Sequence, residues 1–509
     1  MTVVLLHPDD DVAVTVRDVA PSSTVDAAGR SVTARAAVPA GHKIAVRDIA
    51  AGAPVHKYGQ LIGVATEDVT AGDHVHLHNL GMPAAGQAGT RAPADPGGGR
   101  ARVAVPADLR RTFQGIRRPD GTVATRNYVG VLTTVNCSAT VARQIARKTE
   151  DAAAQVDGVD GVVALTHGTG CGMTDRGEGW DLLRRTLAGY ARHPNIGGLV
   201  VVGLGCEVNA VGSLLADLGV RADLPVESYT IQDVGGTAAA IDHGVRQVQT
   251  MLGKLAGQAR TEVGVENLVL GLECGGSDGW SGLTANPALG VASDLLVSLD
   301  ATTVLGETPE IYGAEHLLAA RAATPAVAAA LLGRIAWWER YTESQGTTMD
   351  SNPSPGNKAG GITTILEKSL GAAAKAGHSP LSAVCEYAEP IPTPGLVFMD
   401  TPGYDPVSVT GMVAGGATLI CFTTGRGSVF GSRPAPTVKL ASNAQTAQWM
   451  AGDVDVDCSP VIEAGLGLAE MGRRVYDALL DVASGRPSAS ESLGLGGEEM
   501  VPWQLGAVL

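Results

Sequence analysis

Seven cysteines are spread along this 509-residue chain, and four of them share one setting. Cys137 closes the run VLTTVNC, Cys171 closes VALTHGTGC, Cys206 closes VVVGLGC and Cys274 closes LVLGLEC. Each sits where an apolar stretch of strand length gives way to glycine or polar residues. In open parallel α/β sheets the carboxyl ends of the strands form the ligand crevice. The placement therefore predicts four thiols on a chemically active edge. Thiolates are soft ligands suited to iron, zinc or an iron–sulfur cluster. The chain has no Cys-x-x-Cys pair, which argues against a zinc ribbon. Cys385, Cys421 and Cys458 fit the ordinary use of cysteine as a small buried hydrophobe.

Histidines supply a second constellation. The segment DHVHLHN places His74, His76 and His78 at alternate positions. On a strand these project from one face, about 7 Å apart, close enough for two imidazoles to share a ligand or a metal. Asn79 and His42, in the turn PAGHKIA, add to the set. A dense polar loop follows at residues 273–287, ECGGSDGWSGLTANP, with Glu273, Ser277, Asp278, Ser281, Thr284 and Asn286. The segment VLGETPEIYGAEH adds Glu307, Glu310, Glu315 and His316. Carboxylates at a strand end suit acid–base work or a hard metal ion. Glu310 and Glu315 read equally well as acids at a helix start. In NPSPGNKAGGITTILEK, residues 352–368, successive backbone N–H groups could cradle a carboxylate, with Lys358 as counter-charge. It is not a Walker A loop. TTGRGSVFG repeats the logic with Arg426, and its glycine spacing is not a dinucleotide fingerprint.

The elements that must position these groups fall into three regions. Residues 1–81 read as a small β-rich module, since VAVTVRDV, KIAVRDI, GQLIGVAT and DHVHLHNL alternate apolar and polar residues between turn residues. Residues 82–112, rich in Ala, Pro and Gly with five Arg, read as a linker. From residue 113 the apolar runs are continuous: 128–137, 161–171, 198–206, 267–276, 302–307, 395–403 and 417–427. Such runs describe parallel strands buried on both faces. Helical stretches such as SATVARQIARKTEDAAAQV and TAAAIDHGVRQVQTMLGKLAGQA connect them. The fold class expected is α/β, with two lobes, 113–258 and 259–509, built on largely parallel sheets.

Composition limits the function classes. The formal net charge of −15 and the lack of a basic stripe disfavour a nucleic-acid partner. An anionic substrate would need a local cationic pocket. No apolar run reaches the ~18 residues of a membrane span. The acidic N-terminus MTVVLLHPDDD does not resemble a secretory signal, and an odd number of cysteines in a long chain fits free thiols in a reducing compartment. The expectation is a cytoplasmic protein.

The strings GLGCEVNA, LECGGSDGWSGLTANP, ETPEIYGAEH, NPSPGNKAGGITTILEKSLG and FTTGRG resemble the catalytic segments of the altronate/galactarate dehydratase family. GHKIAVRDIAAGAPVHKYGQLIG with HVHLHN resembles that family's N-terminal SAF domain. The likeness runs along nearly the whole chain, although residues 82–112 and the tail ASESLGLGGEEMVPWQLGAVL carry none of these strings. It implies a hydro-lyase that converts a sugar acid to a 2-keto-3-deoxy product with a divalent metal, typically iron. A relative releases sulfite from sulfolactate, so a sulfo-lyase is the alternative, and a non-catalytic sugar-acid binding protein is a third reading.

The roles expected are these. Cys137, Cys171, Cys206 and Cys274 hold Fe2+ or an iron–sulfur cluster. Lys358 and Arg426 hold the substrate, with Ser277, Asp278, Asn286 and Asn357 lining its site. His42, His76 or His167 supplies acid–base chemistry, although His167 in HGTGC also reads as a support for Cys171. Failing the thiols, His76, His78, Glu273, Asp278 and Glu307 would hold Mg2+ or Mn2+. The partners expected are a small anionic hydroxy acid and a second copy of the chain in a homodimer.

Overall fold

The computed structural model describes residues 2–83 and 103–506. Most of the expected linker, residues 84–102, lies outside them. Period-two alternation in the first 83 residues produces short antiparallel strands. Val3–Val4, Val12–Thr15, Lys43–Ala45 and His74–Val75 form one sheet, in that order. Pro54–Lys57, Gln60–Ala65 and Leu80–Gly81 form another. This module is docked on the C-terminal lobe. Val12, Ala45, Ile49, Val55 and Ile62 share a core with Ala314, Leu370 and Ala373.

All seven continuous apolar runs contain strands, and the strands lie in two parallel sheets. The first sheet has the order Gly161–Leu165, Tyr128–Thr133, Ile196–Gly203, Val226–Thr230. The helices Ala139–Ala153 and Thr237–Leu255 cover one face, in a core with Val129, Val131, Val200 and Val202. Glu178–Arg192 and Val211–Leu218 cover the other. Burial on both faces is why these strands carry Val and Leu without alternation.

The second sheet has seven strands in the order Leu381–Cys385, Gly395–Met399, Thr302–Leu305, Val269–Cys274, Leu419–Thr424, Thr437–Ala441, Val456–Asp457, all parallel. The lobes are not separate bodies. Leu187 and Tyr190 of the first pack in one core with Val409, Met412 and Val413 of the second. Among the described residues no helix is long and apolar enough to cross a membrane.

One local expectation fails. His74, His76 and His78 do not lie on one straight strand. The strand stops at Val75, and residues 76–79 form a turn. Asn79 makes the turn: its Oδ1 accepts from His76 N at 2.9 Å and its Nδ2 donates to His74 O at 3.0 Å. An asparagine that mimics a backbone turn outcompetes strand extension here.

Candidate active site

Each parallel sheet has a point where successive strands begin to be added on the opposite side, which is where ligand crevices form. In the seven-stranded sheet that point separates Val269–Cys274 from Leu419–Thr424. The loops leaving those strands carry Ser277 and Asp278 on one side and Arg426 on the other. Gly425 N and Arg426 N both donate to Gly276 O, at 2.8 and 3.0 Å.

The loop around Lys358 closes over the same place. Ser354 caps the short helix Pro355–Ala359 in a capping box with Asn357. Asn357 Nδ2 donates to Ser277 O at 2.9 Å, and Gly279 N donates to Gly360 O at 2.7 Å. Neither the Lys358 ammonium nor the Arg426 guanidinium has a hydrogen-bonded or ion-paired partner among the described residues.

The N-terminal module brings its histidines to this loop. His42 Nε2 lies 3.3 Å from Ala359 O, and Lys43 Nζ donates to Gly361 O at 2.7 Å. A Cβ on Gly279 would lie 1.9 Å from Gly41 O, so only glycine permits this approach. His42 Nδ1 lies 3.0 Å from His74 Nε2. Ring centroids are 4.8 Å apart for His42 and His76 and 5.4 Å for His74 and His76. One nitrogen from each of the three lies within 4.8 Å of the others.

Burial holds the pKa of His42 below its ordinary value, that of His74 at about 4 and that of His76 at about 3. All three are neutral near pH 7, which is the form that ligates a metal. His76 Nδ1 is buried with no hydrogen-bond partner among the described residues. An orphaned buried nitrogen beside two neutral imidazoles fits a soft or borderline divalent ion such as iron or zinc. His78 lies on the outer side, exposed, with its ring 5.6 Å from His74.

The four cysteines part company. Cys137, Cys171 and Cys206 are exposed in loops that follow three neighbouring strands of the first sheet. Asn136 N donates to Thr169 O, and Asn209 N to Gly170 O, so the loops are tied together. Cys274 is buried on the other sheet, where its thiol donates to Glu310 Oε2 at 2.7 Å. The four expected thiols are thus divided between two sheets, Cys274 on one and Cys137, Cys171 and Cys206 on the other. Among the described residues no group of three or more ligand residues with atoms within 4.8 Å of one another contains more than one cysteine. One tetrahedral metal with thiolate bonds of about 2.3 Å would hold its sulfurs roughly 3.8 Å apart. The geometry therefore does not match a mononuclear thiolate site.

Several other expected groups are committed to structure. His167 is buried, with Nε2 3.1 Å from Thr133 O and Nδ1 3.1 Å from Thr169 Oγ1. Burial holds its pKa at about 4. With both ring nitrogens engaged it ties the HGTGC loop to the strand Tyr128–Thr133. The Asp278 carboxylate accepts from Trp280 N, Ser281 N, Ser281 Oγ, Ser442 Oγ and Asn443 Nδ2. Four of these bonds fall on Oδ1 and one on Oδ2, and through Ser442 and Asn443 the carboxylate ties its loop to the segment after Thr437–Ala441. Asn357 is consumed by its cap and by Ser277. Asn286 Nδ2 donates to Gly371 O at 2.9 Å, and its Oδ1 stays unpartnered among the described residues. The proposed mixed set of His76, His78, Glu273, Asp278 and Glu307 is also divided. Glu273 and Glu307 group with Asp405, His76 groups with His42 and His74, and His78 falls in neither group.

Lys43, Lys57 and Glu367 escaped the sequence reading. Glu367 accepts from Lys43 at 2.8 Å and from Lys57 at 2.9 Å, with all three buried. Alternation offered one signal: Lys57 shares a strand face with the buried Val55.

Comparison with known proteins finds relatives along most of the chain. Residues 1–83 match the family model described as the altronate/galactarate dehydratase SAF domain. Residues 115–256 match the D-galactarate dehydratase/altronate hydrolase second domain, and residues 265–508 match the D-galactarate/altronate dehydratase C-terminal domain. The altronate dehydratase of Escherichia coli (strain K12) is 36% identical over 491 residues, 96% of this chain and 97% of the relative. That of Bacillus subtilis (strain 168) is 33% identical over 485 residues, covering 94% and 95%. The galactarate dehydratase (L-threo-forming) of Escherichia coli (strain K12) is 34% identical over 466 residues, covering 90% and 88%. The chain belongs to the altronate/galactarate dehydratase family of hydro-lyases.

Proposed function

We propose that the chain dehydrates a sugar acid to a 2-keto-3-deoxy acid with the help of iron held by His42, His74 and His76. The observation that carries this reading is the convergence of three neutral imidazoles, one with a nitrogen that has no partner among the described residues, on the loop that carries Lys358 and closes over a sheet switch point. Loss of a β-hydroxyl from a hydroxy acid begins with removal of the α-proton, which puts charge on the carboxylate oxygens. Lys358 and Arg426 face that charge, and its growth in the transition state strengthens their hold. The metal would supply Lewis-acid polarisation of the substrate oxygens. Asn357 ties the Lys358 loop to Ser277, and Asn443, which donates to both Asp278 and Gly425, ties that loop to the one carrying Arg426, an arrangement suited to presenting both cations to one carboxylate.

A second reading places an iron–sulfur cluster on Cys137, Cys171 and Cys206. It is favoured by three exposed thiols on adjoining loops, two of which flank the switch point of the first sheet. A multinuclear cluster separates its thiolates more widely than one metal does. Anaerobic purification with iron and acid-labile sulfide analysis decides between them. Iron without sulfide supports the imidazoles, and stoichiometric sulfide supports the thiols.

Turnover is tested with a panel of sugar acids read for 2-keto product. Sulfolactate read for sulfite covers the other leaving group, and sulfite release without dehydration would overturn the hydro-lyase reading. Lys358→Met is expected to raise KM and lower kcat together, with kcat/KM falling on the order of 100-fold. An unchanged kcat/KM would show that Lys358 is only a solvated loop residue.

A further inference from the structure

The loop that carries Cys171 has little of its own to hold it. Residues 166–177 run without helix or strand between Gly161–Leu165 and Glu178–Arg192. Gly170 and Gly172, on either side of Cys171, have φ values of +94° and +65°. Glycine loses the most conformational freedom on ordering, so such a loop needs outside contacts to stay in one place. One set of contacts ties it to the loops of Cys137 and Cys206, through Asn136 and Asn209. Another comes from residues 498–505, which are anchored on the C-terminal lobe.

That anchoring uses both backbone and side chain. Val501 N donates to Thr410 Oγ1, on the helix Asp405–Gly415, at 2.9 Å, and Trp503 N donates to the Tyr387 hydroxyl at 3.2 Å. The Trp503 ring stacks on Trp338, with centroids 5.3 Å apart and planes within 2°. It meets Trp337 and Tyr387 edge-on at 5.7 and 5.6 Å. Trp338 is itself buried and fixed, since its Nε1 donates to Asp400 Oδ1 at 2.8 Å. Stacked and edge-on pairs of this kind hold each other in a defined orientation.

The same segment touches the first lobe. A Cβ on Gly179, in the first turn of the helix Glu178–Arg192, would lie 2.0 Å from Leu505 O, so only glycine permits this approach. Gln504 Nε2 lies over Gly168, 3.4 Å from where a Cβ would stand. Glu498 accepts from Arg143 Nε at 2.8 Å, and Arg143 Nη2 donates to Thr166 Oγ1 at 2.9 Å. Met173 packs against the same core as Val501, Trp503 and Leu505. One short segment therefore bears on the loop before Cys171, at Gly168, and after it, at Gly179.

We propose that residues 498–505 are a clasp through which the C-terminal lobe fixes the Cys171 loop beside the switch point of the first sheet, and that Trp503 is a positioning residue on which turnover depends. A switch point is where ligand crevices form, so a shift of this loop alters one wall of the first lobe's crevice. The clasp rests on membership of the hydro-lyase family alone and holds whether imidazoles or thiols carry the iron.

The test combines hydrogen–deuterium exchange of the full chain with kcat/KM on the acid that the unmodified chain turns over fastest. In Trp503→Ala protein the amides of residues 166–177 should exchange roughly tenfold faster or more, while those of Val269–Cys274 keep their rates. A misplaced loop should also lower kcat/KM roughly tenfold or more. Trp503→Phe keeps a stacking ring and should restore both. Gly179→Ala is the second variant, readable if Trp503→Ala folds poorly. Alanine is the better helix former, so the helix itself gains while the added methyl displaces Leu505, and the same loop-confined pattern is expected. Unchanged exchange of residues 166–177 in both variants overturns the clasp. So does equal acceleration in Val269–Cys274, which marks general loosening, or an unchanged kcat/KM beside a freed loop. A misassigned iron site shows instead in the metal content of His76→Ala protein and leaves the exchange pattern as expected.

Discussion

His76→Ala protein, purified without oxygen, should lose most of its iron and on the order of 1,000-fold in kcat/KM. Removing a group that merely orients a metal ligand costs roughly 10–100-fold, and loss of a direct ligand exceeds that. The fold should barely respond. His76 Nδ1 is buried and makes no hydrogen bond among the described residues, so truncation removes a desolvation penalty along with the ring. Activity and iron should therefore fall while Tm stays within a few degrees. Cys206→Ser is the companion measurement, since an exposed thiol outside the imidazole group should leave that iron in place. Retention of iron and turnover by His76→Ala, with loss of both in Cys206→Ser, would move the metal to the thiol loops.

The parallel strands were legible because a strand buried on both faces must be apolar throughout, and Tyr128–Thr133, Ile196–Gly203 and Val269–Cys274 are buried along all or nearly all their length. Strand ends were legible for the same reason, which put Cys137, Cys206 and Cys274 on sheet edges. Which edge each one shares depends on strand order, and local sequence does not encode that. Hence Cys274 was grouped with thiols that belong to the other sheet. His76 was found by alternation, although the turn made by Asn79 invalidates the spacing argument. The meeting of His42 with His74 depends on pairing between Lys43–Ala45 and His74–Val75, some 30 residues apart. The pairing of Glu367 with lysines more than 300 residues earlier left no trace in its own helix.

Glu367→Leu should be the most destabilising single substitution at the junction of the N-terminal module. The carboxylate lies between two buried ammonium groups, and Thr363 completes its shell through its backbone N–H at 3.0 Å and its hydroxyl at 2.7 Å. Removing it leaves Lys43 and Lys57 as uncompensated buried charges, a loss of about 3–5 kcal/mol. For a lobe of this size that is a fall on the order of 10 °C in the unfolding midpoint. The pH dependence has a definite sign. Burial alone would raise the pKa of Glu367, but Lys43 and Lys57 outweigh it and hold the group well below the ordinary carboxylate range. Its contribution is therefore full above the unfolded value of about 4.3 and is lost as pH falls below that. The triple variant Lys43→Met, Lys57→Met, Glu367→Leu replaces the ions with side chains of similar volume. It should recover most of the lost stability and lose this acid sensitivity. Because Lys43 follows His42, recovery of docking should also restore iron binding, which Glu367→Leu alone should weaken. Calorimetry and iron content across pH 3–8 read both effects together. If Glu367→Leu shifts the midpoint by less than about 2 °C, the ion triad does not hold the imidazoles over the Lys358 loop.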